Sequence, residues 1–133
     1  MSQTIFQTVT LQAREERRAP IGLATTPASR QPPVDRYLGF ANVFLTLTNP
    51  EPRDTTIVIR RIEIRNVKTE AVYLTTPSPT VIRLRPLENS VNDVHLINKT
   101  GFPGQDPVKA VVYYEVEQRP GVIESQPVAV TRL

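Results

Sequence analysis

The stretch from Thr56 to Arg65, TIVIRRIEIR, constrains this chain more than any other. It is rich in β-branched residues and its apolar positions recur every second residue, which is the pattern of a strand with one buried face. The alternation contains a fault. Ile57 and Ile59 share one parity while Ile62 and Ile64 share the other, so a regular strand would turn two of the four isoleucines to the wrong face. A β-bulge at Arg60-Arg61 would add one residue and return all four to a single buried face. Alternatively, the strand bends there and passes from one sheet to another, and the arginines mark the crossing.

Other segments alternate in the same way. Thr4 to Gln12 sets Ile5, Val9 and Leu11 against Phe6, Thr8 and Thr10, with Gln7 interrupting the apolar face. Tyr37 to Thr48 sets Ala41, Val43, Leu45 and Leu47 against Phe40, Asn42, Phe44, Thr46 and Thr48. It stops at Asn49-Pro50-Glu51-Pro52-Arg53-Asp54, where prolines remove backbone donors and Asn and Asp favour a turn, so a hairpin into Thr56 to Arg65 is expected. Ala71 to Thr75, Thr80 to Arg85, Asn92 to Ile97 and Val108 to Arg119 read as further strands. Pro120-Gly121 closes the last of these, and Val128 to Thr131 adds a terminal edge. Ala13 to Ala19 mixes charges of both signs and reads as a solvated turn. Residues 13–36, with Pro20, Pro27, Pro32 and Pro33, read as a long Pro-rich connection or arm.

With 133 residues the chain is long enough for one core, and thirteen prolines against five glycines suit short strands joined by stiff connections. The expected fold is all-β: one antiparallel β-sandwich of about seven to eight strands spanning 1–133, with no substantial helix. The strand ending at TNPEP, the following IVIRRIEIR, the strand closed by Leu84-Arg85-Pro86 and the late KAVVYYEVE resemble an immunoglobulin-like or fibronectin-type sandwich over roughly residues 37–119. There is no cysteine pair and no tryptophan, so the antibody-type core is absent and the resemblance implies a fold and no activity.

The absence of cysteine excludes disulfides, thiolate metal sites and a cysteine nucleophile. No phosphate-cradling glycine motif is present, no cofactor or metal is expected, and the N-terminal residues hold no signal peptide or membrane span, so a cytoplasmic protein is expected. His95 is the single histidine; Asp93 shares its face and Ser90 is near in sequence, but a lone histidine on an open strand face more often makes a surface hydrogen bond than a triad. No catalytic residue is therefore assigned. Asn98-Lys99-Thr100 matches a glycosylation acceptor, and Glu51 with Asp54 reads as a capped turn.

Thirteen of the sixteen basic residues are arginine. Arg60, Arg61, Arg65, Arg83 and Arg85 would project from outward strand faces, where they could bind an anionic ligand or polymer, or pair with Glu63, Glu115 and Glu117 as a cross-strand ladder. Nucleic acid is not an expected partner, since few aromatics interleave with these arginines. Phe40 and Phe44 lie opposite one apolar face, and Tyr113 lies opposite another, so both faces of their strands need cover. These three residues point to a non-enzymatic protein-interaction or assembly module, with a protein partner or a homo-oligomer providing the cover. Anionic-ligand binding through the arginines is the alternative.

Overall fold

The fold, given by a computed structural model, is described for residues 5–18 and 36–132. Within them run nine strands and no helix: β1 (Phe6–Arg18), β2 (Arg36–Thr48), β3 (Thr55–Asn66), β4 (Val72–Thr75), β5 (Thr80–Leu84), β6 (Asn89–Asn98), β7 (Val108–Val116), β8 (Arg119–Glu124) and β9 (Thr131–Arg132). They form two sheets, one in the order β6-β2-β1-β9 and one in the order β4-β3-β7-β8, with β5 also paired to β3. The inward residues of both sheets make a single apolar core. No helix among the described residues is long and apolar enough to cross a membrane.

The fault in the isoleucine pattern is resolved by a bulge. Ile59 pairs with Tyr114 and Arg61 with Tyr113, which leaves Arg60 as the extra residue. Ile57, Ile59, Ile62 and Ile64 are consequently all 2% exposed or less. β3 stays beside β7 on both sides of the bulge, so it does not change sheets. Burying four isoleucines is worth roughly 6–12 kcal/mol before chain entropy is subtracted, as much as the net stability of an ordinary domain.

β1 departs from its expected form at both ends. The register slips between Phe6 and Thr8, so Phe6 joins Leu11 in the core, with its ring centre 4.4 Å from that of Tyr114. The strand then continues through the charged segment that reads as a turn, pairing with β2 from Ala13↔Ala41 to Arg18↔Arg36. Residues 13–18 therefore belong to a strand, and the rest of the Pro-rich connection, 19–35, lies outside the described residues.

The expected hairpin between β2 and β3 does not form: the two strands lie in different sheets. The crossover is held by Asn49, which is completely buried. Its Nδ2 donates to the carbonyls of Arg53 (2.7 Å) and Arg85 (2.8 Å), and its Oδ1 accepts from the Glu51 N–H (3.0 Å) and the Thr55 hydroxyl (3.0 Å). Asn66 plays a similar part at the end of β3, where its Oδ1 accepts from the N–H groups of Lys68 (2.7 Å) and Thr69 (3.0 Å).

Two further corrections concern the C-terminal third. β7 turns at Glu117-Gln118, both at positive φ (50° and 70°), into β8, so Pro120-Gly121 sits inside a strand instead of closing one. A Cβ at Gly121 would lie 2.5 Å from Cζ of Tyr114, so any larger residue there must displace the tyrosine ring. β9 runs parallel to β1, so the β6-β2-β1-β9 sheet is mixed and not purely antiparallel.

Candidate functional site

The outward face of the β6-β2-β1 sheet is built by the even residues of β2 and their registered neighbours. Phe40 lies between Arg14 of β1 and Ile97 of β6; Phe44 lies between Thr10 and Asp93; Thr46 lies between Thr8 and Val91. Phe40 and Phe44 are half-buried, and the Arg14 guanidinium sits 4.5 Å above the Phe40 ring centre. Val91 and Ile97 remain 70% and 64% exposed. Two large β-branched residues thus stand in solvent beside two phenylalanines.

His95 occupies the middle of this face. Its Nδ1 is hydrogen-bonded to Asn42 Oδ1, and its Nε2 lies 3.2 Å from Asp93 Oδ2. The imidazole is held on an open surface, 69% exposed, and Ser90 instead has its hydroxyl bonded by Asn92 Nδ2 at 2.9 Å. A nucleophile, a base and a cleft are not assembled around it. Among the described residues no group of three or more His, Cys, Asp or Glu is placed to hold a metal ion.

Tyr113 faces the other way, on the outside of the β3-β7 sheet, and so does not adjoin Phe40 and Phe44. The bulge aims Arg61 at it, with the guanidinium 4.6 Å from the ring centre. Both line an open groove of about 800 Å³ with Arg60, Pro77, Pro79 and Pro120. The arginines here are already matched by carboxylates. Arg60 pairs with Glu115, Arg61 Nε lies 3.0 Å from Glu63, and Arg65 Nε donates to Glu63 at 3.0 Å while also reaching the Tyr113 hydroxyl at 2.8 Å. The expected cross-strand ladder is therefore formed in part: Arg60 reaches Glu115 across to β7, while Arg61 and Arg65 share Glu63 within β3 itself.

Arg83 and Arg85 are apart from that ladder. Arg83 lies opposite Thr56 and is separated from the bulge by the paired Val58 and Val81, so the structure does not gather the five arginines at one spot. Neither Arg83 nor Arg85 makes an ion pair among the described residues.

Lys109 ties the ladder to a second cluster, at 2.8 Å from Glu70 and 3.0 Å from Glu124. Hydrogen bonding from Lys109, helped by Arg65, holds the Glu70 carboxyl below its ordinary value of 4.5. The Asn66 amide and then Lys68 do the same for Asp106. A carboxyl with a depressed folded-state pKa stabilises the fold above its unfolded value, and that contribution disappears as pH falls through the folded value. Thermal midpoints are therefore expected to drop as pH is lowered below about 4.5. A Glu70→Gln, Asp106→Asn double variant should start lower at neutral pH and lose less on acidification. Equal slopes for variant and parent, by calorimetry from pH 6 to 3, would count against these pairs.

Glu15 is a residue that strand reading stopped short of. It is buried on the inward side of β1, its Oε2 accepts from the Phe102 N–H at 2.6 Å, and it lies 2.9 Å from Arg132. Arg132 in turn donates to the Gly104 carbonyl at 2.6 Å. One carboxylate thus pins the glycine- and proline-rich 99–107 loop and β9 to β1. Continuing the Leu11, Ala13 parity two residues further would have found it. The acceptor triplet is also accounted for structurally: Asn98 Nδ2 donates to the Tyr73 carbonyl at 2.9 Å and Oδ1 accepts from Gly39 and Gly101 N–H, so the amide is engaged in the fold.

No protein family, characterised protein or solved structure matches this chain.

Proposed function

We propose that this chain is a non-enzymatic, self-associating interaction module of immunoglobulin-like type, with the outward face of the β6-β2-β1 sheet as its contact. The observation that carries this reading is the exposure of Val91 and Ile97 on the face that holds Phe40 and Phe44, with Ile97 directly opposite Phe40 and Val91 diagonal to Phe44. Clustered apolar exposure of this kind marks contact sites, whereas single exposed residues carry no such meaning. The immunoglobulin-like element of the reading draws support from strand order. β1, β2 and β6 share one sheet and β3, β7 and β8 the other, as strands A, B, E and C, F, G do in such sandwiches, while β9 lies outside that scheme.

Sedimentation velocity at micromolar to submillimolar concentration tests the proposal. A reversible dimer or higher oligomer is expected, and Ile97→Asp should shift it to monomer without altering the circular dichroism spectrum, because Ile97 is outside the core. A parent chain that sediments as a monomer throughout would refute it.

A second reading, binding of an anionic ligand, is favoured by Arg83 and Arg85, which lack ion-pair partners among the described residues. Arg60, Arg61 and Arg65 support it less, since each already has a carboxylate.

A further inference from the structure

We infer that two copies of this chain join through β6, antiparallel about a two-fold axis at Val94, so that the β6-β2-β1-β9 sheet runs on across the pair. This rests on the reading of the chain as self-associating and specifies how it does so.

The first observation is that β6 is an undefended edge. It is ten residues long, its register with β2 is unbroken from Asn89 to Asn98, and it contains no proline, lysine or bulge. Proteins usually blunt long edges with such features, because the unpaired N–H and C=O groups recruit another strand. The other edges are blunted. β8 contains Pro120, β5 runs between Pro79 and Pro86, β4 has four residues and β9 has two. β4 approaches this edge at the far end of β6, where the Asn98 amide donates to the Tyr73 carbonyl.

The second observation fixes which backbone groups are free. Asn49 N–H donates to the Glu88 carbonyl at 2.9 Å, one step beyond the Thr48↔Asn89 pair. Hydrogen-bonded pairs alternate along an antiparallel ladder, so the even residues of β6 turn their backbone groups to β2. Val91, Asp93, His95 and Ile97 turn theirs to the open edge, and their side chains are the ones on the outward face.

The third observation is that the sequence Val91-Asn92-Asp93-Val94-His95-Leu96-Ile97 is self-complementary about Val94. Antiparallel pairing of two copies must oppose edge-facing residues, which are odd-numbered. With the axis at Val94, Asp93 meets His95 of the second copy and Val91 meets its Ile97, and both pairs occur twice by symmetry. Centring on residue 93 would put Asp93 against itself, and centring on residue 95 would put His95 against itself. Two carboxylates directly opposite are unfavourable, whereas a carboxylate facing an imidazole N–H and paired apolar side chains are favourable. The pairing sets Phe40, Ile97 and Val91 of the second copy side by side across the joined sheet.

Cysteine crosslinking tests the register, since the chain has no cysteine of its own. Cα atoms of a non-hydrogen-bonded antiparallel pair lie about 4.5 Å apart, within disulfide reach. Val94→Cys is expected to crosslink under mild oxidant. Val91→Cys alone should not, and Val91→Cys with Ile97→Cys should. As an independent measurement, Asp93→Lys should weaken dimerisation roughly tenfold, and adding His95→Glu should restore it. A parent dimer that crosslinks through neither arrangement, or that ignores Asp93→Lys, would overturn the β6 pairing while leaving self-association standing. A chain that is monomeric throughout would overturn both.

Discussion

Asn49→Ala is expected to lower the unfolding free energy by about 3 kcal/mol or more, measured by urea denaturation. The side chain is buried and fills all four of its hydrogen-bonding positions, two as donor and two as acceptor. Truncation leaves the Arg53 and Arg85 carbonyls, the Glu51 N–H and the Thr55 hydroxyl without this partner in a site that water reaches poorly. Each orphaned buried group costs about 1–3 kcal/mol, and groups in one network fail together. Thr55→Val removes one donor only and should cost about 1 kcal/mol. Asn49→Asp is nearly isosteric but presents oxygen to two carbonyls that need a donor, so it should be no better than Asn49→Ala. A loss below about 1 kcal/mol for Asn49→Ala would mean that the crossover from β2 to β3 is held by something other than this side chain.

The role of Asn49 also shows where sequence reading stops. TNPEP is visible as a strand stop with turn-forming residues, but a turn signal does not say whether the next strand returns to the same sheet or crosses to the other. What decides the crossing is the pairing of β2 with β6 and of β3 with β7, contacts between residues far apart in the chain. The turn at Glu117-Gln118 is hidden in the sequence for a different reason. Both residues adopt positive φ without being Gly or Asn, so the usual composition signal is missing, and Pro120-Gly121 offered a stronger signal three residues too late. The mixed charges of AREERR suggest a turn, yet tertiary pairing with β2 makes it strand, and an inward Glu15 is tolerable because Arg132 and the Phe102 N–H arrive from the far end of the chain.

The candidate contact was legible in part. The parity of β2 places Phe40 and Phe44 together on an outward face, and the same logic assigns Tyr113 to the outside of its own strand. Parity cannot say which outward faces belong to the same sheet, so it grouped three aromatics that lie on two. Nor can it identify edge strands, and the position of β6 at the end of its sheet is what makes Val91 and Ile97 informative.

Deleting Arg60 is expected to leave folding cooperative, and Arg60→Ala should change stability by less than about 1 kcal/mol. The two variants separate the residue's place in the chain from its chemistry. The Arg60 side chain is 59% exposed and its pair with Glu115 is screened by solvent, so its removal costs little. Its backbone is the extra residue that the bulge absorbs. Without it Ile57, Ile59, Ile62 and Ile64 fall at every second position, so a regular strand buries all four. The β7 register survives as well, because the pair Ile59 with Tyr114 then runs straight on to Arg61 with Tyr113. What the deletion loses is the local kink and twist that a bulge gives its strand. Circular dichroism with a urea titration checks both variants: a sigmoidal transition is expected for each. Loss of the cooperative transition in the deletion variant would show that the bulge does more than absorb one residue, and that its kink is needed for β3 to pair with β4 and β5 along one side.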